Sequence, residues 1–328
     1  MLVTLMLVNT RERMHWLIWT IVISLGFYGL KGGVFTLLKG GEYHVYGPPA
    51  SFIADNNALA LALCMILPLM RYLQLQTKKK WVRMGLGVAM LATALTVLGT
   101  YSRGGLLALA VVAVVLFLKT RKRIAIMVTF AVIVLVGLHF MPPQWQARMD
   151  TLTHAEKTDS AQERIQSWEF AVNVAVHRPL VGGGFNAYES DSLWKNFGPK
   201  GAIQRAVHSV YFRVLGEQGL PGLILFLALL AASWRSCGHV RKKTRNLPEQ
   251  KWAYDLASML QVSLVAFVAA GAFLPMTYFD LTYQLMALCA LLRGYLLQQP
   301  ENETLAELHQ DGTASRIHSL QSHDASSA

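Results

Sequence analysis

Charge is scarce in this sequence. Only 15% of its 328 residues are Asp, Glu, Lys or Arg, and its mean hydropathy is +0.35. Soluble domains carry about 25% charged residues. The deficit excludes an ordinary soluble globule and points to an integral membrane protein. Acidic residues are the scarcer sign, 19 against 30 Lys and Arg, which leaves a net charge of +11. That excess does not indicate nucleic acid binding, because the basic residues form short clusters between apolar runs. Cysteine is nearly absent: Cys64, Cys237 and Cys289 each lie in or beside an apolar run. Their placement excludes a disulfide framework and a thiolate zinc site, and assigns them to packing. A cleavable signal peptide is also missing. The opening "MLVTLMLVN" is apolar but has no basic n-region and no small-residue cleavage site. It reads as the tail of a helix, so a truncated N-terminus is expected.

What is abundant is long apolar sequence. A bilayer core needs about 20 apolar residues as helix. Eight candidate spans follow, at roughly 15–37, 57–73, 84–101, 104–118, 124–140, 209–234, 253–274 and 277–297. The basic clusters fall on alternate connections. Arg11 and Arg13 precede the first span, and Arg71, Lys78, Lys79, Lys80 and Arg83 separate the second from the third. Lys119, Arg121, Lys122 and Arg123 follow the fourth; Arg235, Arg241, Lys242, Lys243 and Arg245 follow the sixth. One membrane face carries all four clusters, which makes it cytoplasmic. The expected organisation is all-α. Membrane helices occupy 1–140, a long external loop 141–207, further membrane helices 208–297, and a disordered polar cytoplasmic tail 298–328.

The external face receives Lys39 to Asn56, the tight turn "TYSRGG" (Thr100 to Gly105) and the loop from Met141 to Val207. That loop balances seven basic against seven acidic residues over 67 positions, too long for a simple connector. Within it, Ser160 and Glu163 fit a capping box. Ile165, Trp168, Val172, Ala175 and Val176 then recur at helical spacing and predict an amphipathic helix ended by Pro179. The glycines Gly182 to Gly184 follow a helix instead of preceding one. They therefore predict a tight turn, not a phosphate cradle.

Three polar residues stand out on this face. Arg103 sits between two apolar spans, where an arginine faces a polar cavity or a partner, or snorkels to the headgroups. Its following glycines predict either a close backbone approach or a helix break. Arg164 lies in the first turn of the amphipathic helix, where pairing with Glu163 or Glu169 is the simpler expectation. His208 opens the sixth span, either as an interfacial cap or as a general base near neutral pH. Two permanent cations and a titratable base on one face suit an anionic, lipid-linked substrate, because arginine forks bind phosphate oxygens bidentately. Arg178, Arg205 and Arg213 are lesser phosphate candidates. Tyr211, on the helical face of His208, is a further candidate to line the site. Asp55 is expected to cap the helix that follows it. Glu217, about two turns deeper, has no assigned role.

The stretches "RIQSWEFAVNVAVHRPLVGGGFNAY" and "HSVYFRVLGEQGLPGLILFLALL", together with "YSRGG", resemble the core of the O-antigen ligase and polymerase superfamily. The stretch from Leu7 to Leu63 resembles, more specifically, the O-glycosylation ligases associated with exosortase systems. Members of that family carry further N-terminal spans. The resemblance implies a GT-C-like, multi-pass glycosyltransferase of the bacterial inner membrane with its active face in the periplasm. It implies transfer of a glycan from undecaprenyl diphosphate to a hydroxyl of a protein or lipid acceptor, with inversion and with neither metal nor cofactor. By motif, Arg103 and Arg164 would bind the donor diphosphate and His208 would activate the acceptor. Ligases often have His-Asn where this chain has His208-Ser209.

A polysaccharide polymerase of the same superfamily would use the same donor chemistry on a second lipid-linked glycan. A transporter would need internal repeats and interrupted helices near mid-membrane, and no repeat is evident. A non-catalytic envelope scaffold would tolerate loss of His208 and Arg164.

Overall fold

The computed structural model describes residues 1–119 and 159–298, and side chains of the second stretch from residue 162. The predicted span at 124–140, the first part of the long loop and nearly all of the polar tail lie outside the described residues. The described secondary structure is helical. In chain order α1 is Leu2–Leu7, α2 Arg11–Leu38, α3 Asn56–Gln76, α4 Lys80–Gly99 and α5 Arg103–Lys119. Then come α6 Asp159–His177, α7 Asp191–Phe197, α8 Val210–Thr244, α9 Lys251–Gly271 and a last helix, α10, over 280–298.

Five of these segments are long and apolar enough to cross a membrane: α2, α3, α4, α8 and Pro248–Gly271. They coincide with five of the eight expected spans. Helix α5 is described over 17 residues, Arg103–Lys119, and covers the expected span at 104–118. Helix α10 covers the last expected span.

Helix α3 is the axis of the bundle. It is apolar on every side, and all its residues from Ala58 to Met70 are buried among α2, α4, α5 and α9. Helix α2 buries only one stripe, Met14, Ile18, Val22, Gly26, Gly29 and Gly33, and leaves Trp16, Ile23 and Phe27 exposed. In a bilayer that exposed apolar face meets acyl chains. The glycine stripe exists because α4 approaches α2 at backbone distance. A Cβ on Gly33 would come within 2.4 Å of the carbonyl oxygen of Ala92. Small residues allow this approach, and the hydroxyl of Thr96 uses it to donate to the Gly29 carbonyl at 2.5 Å. Gly33→Ala is expected to push the two helices apart at a cost of about 1–3 kcal/mol. Thermal unfolding of the purified protein in detergent measures this; an unchanged midpoint would refute the close approach.

The two ends of the bundle differ in chemistry. At one end the basic segments converge. Arg11 lies over Trp252 at 5.0 Å, Gln76 donates to Asp255 at 3.2 Å, and Lys119 and Arg241 both reach Gln261. At the other end Val45 N–H donates to Gly99 O at 2.9 Å, Asn56 Nδ2 to Thr100 O at 2.7 Å, and Tyr101 Oη to Gly41 O at 2.5 Å. The packing therefore gathers the alternate basic connections on one face, as their parity requires.

Helix α6 corrects one expectation. Its periodic residues Ile165, Val172 and Val176 are exposed. The buried face is Ser167, Phe170, Ala171, Val174 and Ala175, packed with Leu193, Trp194 and Val207. The helix has two apolar faces, and aromatic stacking selects between them: Phe170 stacks on Trp194 at 4.4 Å and Trp168 on Phe212 at 5.0 Å. The helix ends two residues before Pro179, as expected, and its start borders residues outside those described.

Candidate functional site

The site is assembled from three segments at the end opposite the basic connections. The first is the α4–α5 turn. Tyr101 adopts φ 57°, a left-handed conformation that is unfavourable for a bulky residue. Its hydroxyl bond to Gly41, the Asn56 bond to Thr100, and the Ser102 hydroxyl accepting from Gly105 N–H at 3.0 Å hold the turn in place. Arg103 is thereby fixed as the first residue of α5. The glycines after it serve a close approach: Gly105 packs on Ala60 of α3, and Cys64 Sγ reaches its carbonyl at 3.5 Å. Asp55 caps α3 as expected, with Oδ1 accepting from Asn57 N–H at 2.9 Å and Ala58 N–H at 3.3 Å.

The second segment is α6. It lies against the start of α8, where Gly216 leaves room for Ala171. Arg164 is one turn before Trp168, and Phe212, the stacking partner of Trp168, is one turn after His208. This stack and the Ala171–Gly216 contact run α6 alongside the start of α8, and the charge of Arg164 acts on His208.

The third segment is the extended chain at 207–209, which ends in Ser209 at φ −165°. Burial pushes the His208 pKa below its ordinary value, the charge of Arg164 adds to that shift, and Asp55 and Glu163 oppose it. The Arg164 pKa is lowered as well, first by burial and then by the like charge of Arg103. Arg103, Arg164, His208, Asp55 and Glu163 thus lie within one electrostatic neighbourhood, although the sequence spreads them over nearly half of the chain. Low pKa keeps His208 neutral near pH 7, with a lone pair available. Both guanidinium groups are permanently charged near neutrality.

The expected pairing of Arg164 with Glu163 does not form. Glu163 instead meets Arg205 at 3.1 Å across a half-exposed surface. Arg205 therefore borders the cluster through its carboxylate partner, in an exposed pair that contributes little to stability. Arg178 is not brought in. It lies fourteen residues beyond Arg164 in the chain, about 20 Å along a helix axis, and sits over Phe197 at 5.9 Å. The Tyr211 hydroxyl donates to the Val268 carbonyl at 2.9 Å, so it binds α8 to α9 and does not face the cluster.

Arg213 does not snorkel. Its Nε donates to Glu217 Oε1 at 3.0 Å, Nη1 to Pro275 O at 3.2 Å and Nη2 to Asn186 Oδ1 at 3.2 Å. Its guanidinium also lies over the rings of Tyr188 and Tyr278, at 4.7 and 5.3 Å. Glu217 is 2% exposed and accepts further bonds from Asn186 N–H at 3.2 Å and Tyr278 Oη at 2.5 Å. This pair ties the glycine turn to α8 and to the loop after α9.

The glycine turn itself is used for backbone contact. Gly182 and Gly184 have φ of 62° and 84°. The N–H groups of Gly183 and Gly184 donate to the carbonyls of Gly216 and Glu217 at 2.8 and 2.9 Å. They are consumed by α8 and do not form an anion cradle. Helix α8 is kinked at the same place: Gly219 has φ 70°, and Leu220 N–H donates to Pro179 O at 2.8 Å.

Two polar atoms near the cluster were not singled out by sequence. Trp168 Nε1 and Ser209 Oγ are buried and have no hydrogen-bond partner among the described residues. The signal for Trp168 is its i+4 relation to Arg164, which helical periodicity masks as an ordinary core position. A cavity of about 550 Å³ lined by Arg11, His15, Tyr72 and Gln76 lies at the other, basic end of the bundle.

Among the described residues the architecture is helical, with five segments long and apolar enough to cross a membrane and with Arg103, Arg164 and His208 near one end. Residues 88–227, which contain Arg103, Arg164 and His208, match the family model described as O-antigen ligase. The match spans 140 of the 328 residues and supports a likeness to the O-antigen ligase superfamily, whose members are ligase- and polymerase-type membrane enzymes. No curated protein matches the chain.

Proposed function

We propose that this protein transfers a glycan from undecaprenyl diphosphate to an acceptor hydroxyl, as a protein O-glycosylation ligase of GT-C-like architecture. The active face is periplasmic, opposite the basic connections, in the bacterial inner membrane. One observation carries the reading: the charge of Arg103 acts on Arg164 and that of Arg164 acts on His208, although the three come from separate segments. In this reading the arginines hold the diphosphate and stabilise the charge that develops on it as the glycosidic bond breaks. His208 accepts the proton of the attacking hydroxyl. Attack from the side opposite the diphosphate inverts the anomeric centre. Trp168 Nε1 and Ser209 Oγ supply unused hydrogen-bonding capacity beside it.

The test is deletion in the native host, followed by analysis of surface polymer and glycoproteins. Loss of glycan from proteins, with polymer length unchanged and restored by the wild-type gene, is expected. Shortened polymer with intact glycoproteins would instead identify a polymerase.

A further inference from the structure

The basic end of the bundle holds a second cationic site that the transfer reaction does not use. Lys119, the last residue of α5, places Nζ 3.0 Å from Gln261 Oε1 and 3.3 Å from the Ser258 carbonyl of α9. Arg241 of α8 places Nη1 2.8 Å from the same Gln261 oxygen. Gln261 is 2% exposed, and its Nε2 donates to the Trp234 carbonyl at 3.2 Å, which fixes which way its oxygen points. Two cations from different helices therefore converge on one neutral acceptor.

An amide oxygen can orient two cations but cannot neutralise them. Among the described residues neither cation has an ion-pair partner. No Asp or Glu occurs between Lys119 and Asp150, or in α8 after Glu217. Residues after Lys119 add Arg121, Lys122 and Arg123, and those after Arg241 add Lys242, Lys243 and Arg245. The single carboxylate of α9, Asp255, faces α3, where Gln76 donates to it and Arg71 acts on it. Arg241 Nε is buried without a partner among the described residues, and its guanidinium lies over Tyr254 at 5.5 Å.

Depth completes the argument. Helices α3 and α9 run antiparallel: Asp255 meets Gln76, and Ser263 Oγ donates to the Met65 carbonyl at 2.7 Å. Ser258 and Gln261 fall between those levels, in the half of the bundle nearer the basic connections. This is where phospholipid headgroups of the cytoplasmic leaflet meet a membrane protein, and where basic pockets between helices bind anionic ones.

We propose that Lys119 and Arg241, aligned by Gln261, form a binding site for a phosphate oxyanion such as an anionic phospholipid headgroup carries. The site is separate from the Arg103–Arg164–His208 cluster and does not depend on the reading of that cluster.

The test uses the full chain in phosphatidylcholine nanodiscs, with and without phosphatidylglycerol, read by thermal unfolding and by native mass spectrometry of retained lipid. Phosphatidylglycerol is expected to be retained selectively and to raise the unfolding midpoint. Each cation removed should weaken retention roughly fivefold, so that the K119Q/R241Q variant loses selectivity. K78Q/K79Q, which removes exposed cations from another basic connection, should keep it. A parallel arm adds inorganic phosphate to phosphatidylcholine nanodiscs. Stabilisation there, lost in K119Q/R241Q, would identify the free ion as the source of the same oxyanion. The proposal is overturned if the wild-type protein shows neither selective lipid retention nor phosphate stabilisation. It is also overturned if K119Q/R241Q matches the wild type. K119Q alone, which leaves Arg241 on Gln261, provides the comparison if the double variant does not fold.

Discussion

His208→Ala is expected to lower glycan transfer by about 10² to 10⁴, the usual contribution of a positioned general base, while the protein still inserts and folds. The side chain sits on an extended segment before α8 and belongs to neither hydrophobic cluster, so its removal leaves helix packing intact. The pH dependence gives an independent reading. The reactive form is the neutral imidazole, and burial with Arg164 lowers its pKa below 6.5. Transfer should therefore rise with pH along an acidic limb centred below 6.5. Arg164→Gln removes a cation that favours the neutral form, so this acidic limb should move to higher pH as well as losing donor binding. Arg164→Lys should not restore full transfer, because an ammonium cannot reproduce the planar fork. The measurement is transfer from a purified polyprenyl-diphosphate glycan across the acidic range. Wild-type product from His208→Ala, or an acidic limb unmoved by Arg164→Gln, would remove His208 as the base.

The second large effect is structural. Glu217→Ala should destabilise the protein by about 3–5 kcal/mol, the cost of removing one partner from a buried ion pair. Arg213 and Glu217 meet at 3.0 Å with side chains 13% and 2% exposed, so solvent screens the pair weakly. Without Glu217, Asn186 N–H and Tyr278 Oη lose their acceptor, and Arg213 keeps only the Pro275 carbonyl and Asn186 Oδ1. The turn at Gly182–Gly184 should then loosen from α8, because part of what holds it passes through Asn186. Glu217→Gln keeps an acceptor while deleting the charge and should cost less. Thermal unfolding in detergent, with proteolysis of the 178–190 segment, separates the cases. A loss under about 1 kcal/mol, typical of an exposed pair, would show that the pair is not a buried tie.

Local features of the site are legible in the sequence, and contacts between distant segments are not. Arg103, Arg164 and His208 are legible as candidates because charge and imidazole are rare beside apolar spans, and the parity of basic loops assigns them to one face. Asp55 was legible as a cap because capping is local, acting on N–H groups two and three residues ahead. Arg213 and Glu217 were not legible as a tie. Their i,i+4 spacing is visible, but Asn186, Pro275 and Tyr278 come from other segments, and periodicity carries no record of them. Tyr211 misled because a tyrosine on the helical face of His208 can turn either way; the Val268 carbonyl decides it. Helix α6 misled because two apolar stripes share one helix, and only the stacking of Phe170 on Trp194 and Trp168 on Phe212 selects which is buried.

By itself the sequence determined that this protein is helical and crosses a membrane, since apolar length and low charge act residue by residue. It also determined which connections share a face, since each span reverses the chain. Tertiary structure alone decided which charges meet. It set Glu163 on Arg205 and not on Arg164, seated the glycine turn on the kink of α8, and brought Lys119 to Arg241 at Gln261. Those choices depend on distances between helices that the chain joins only through long connections, and a one-dimensional pattern does not encode them.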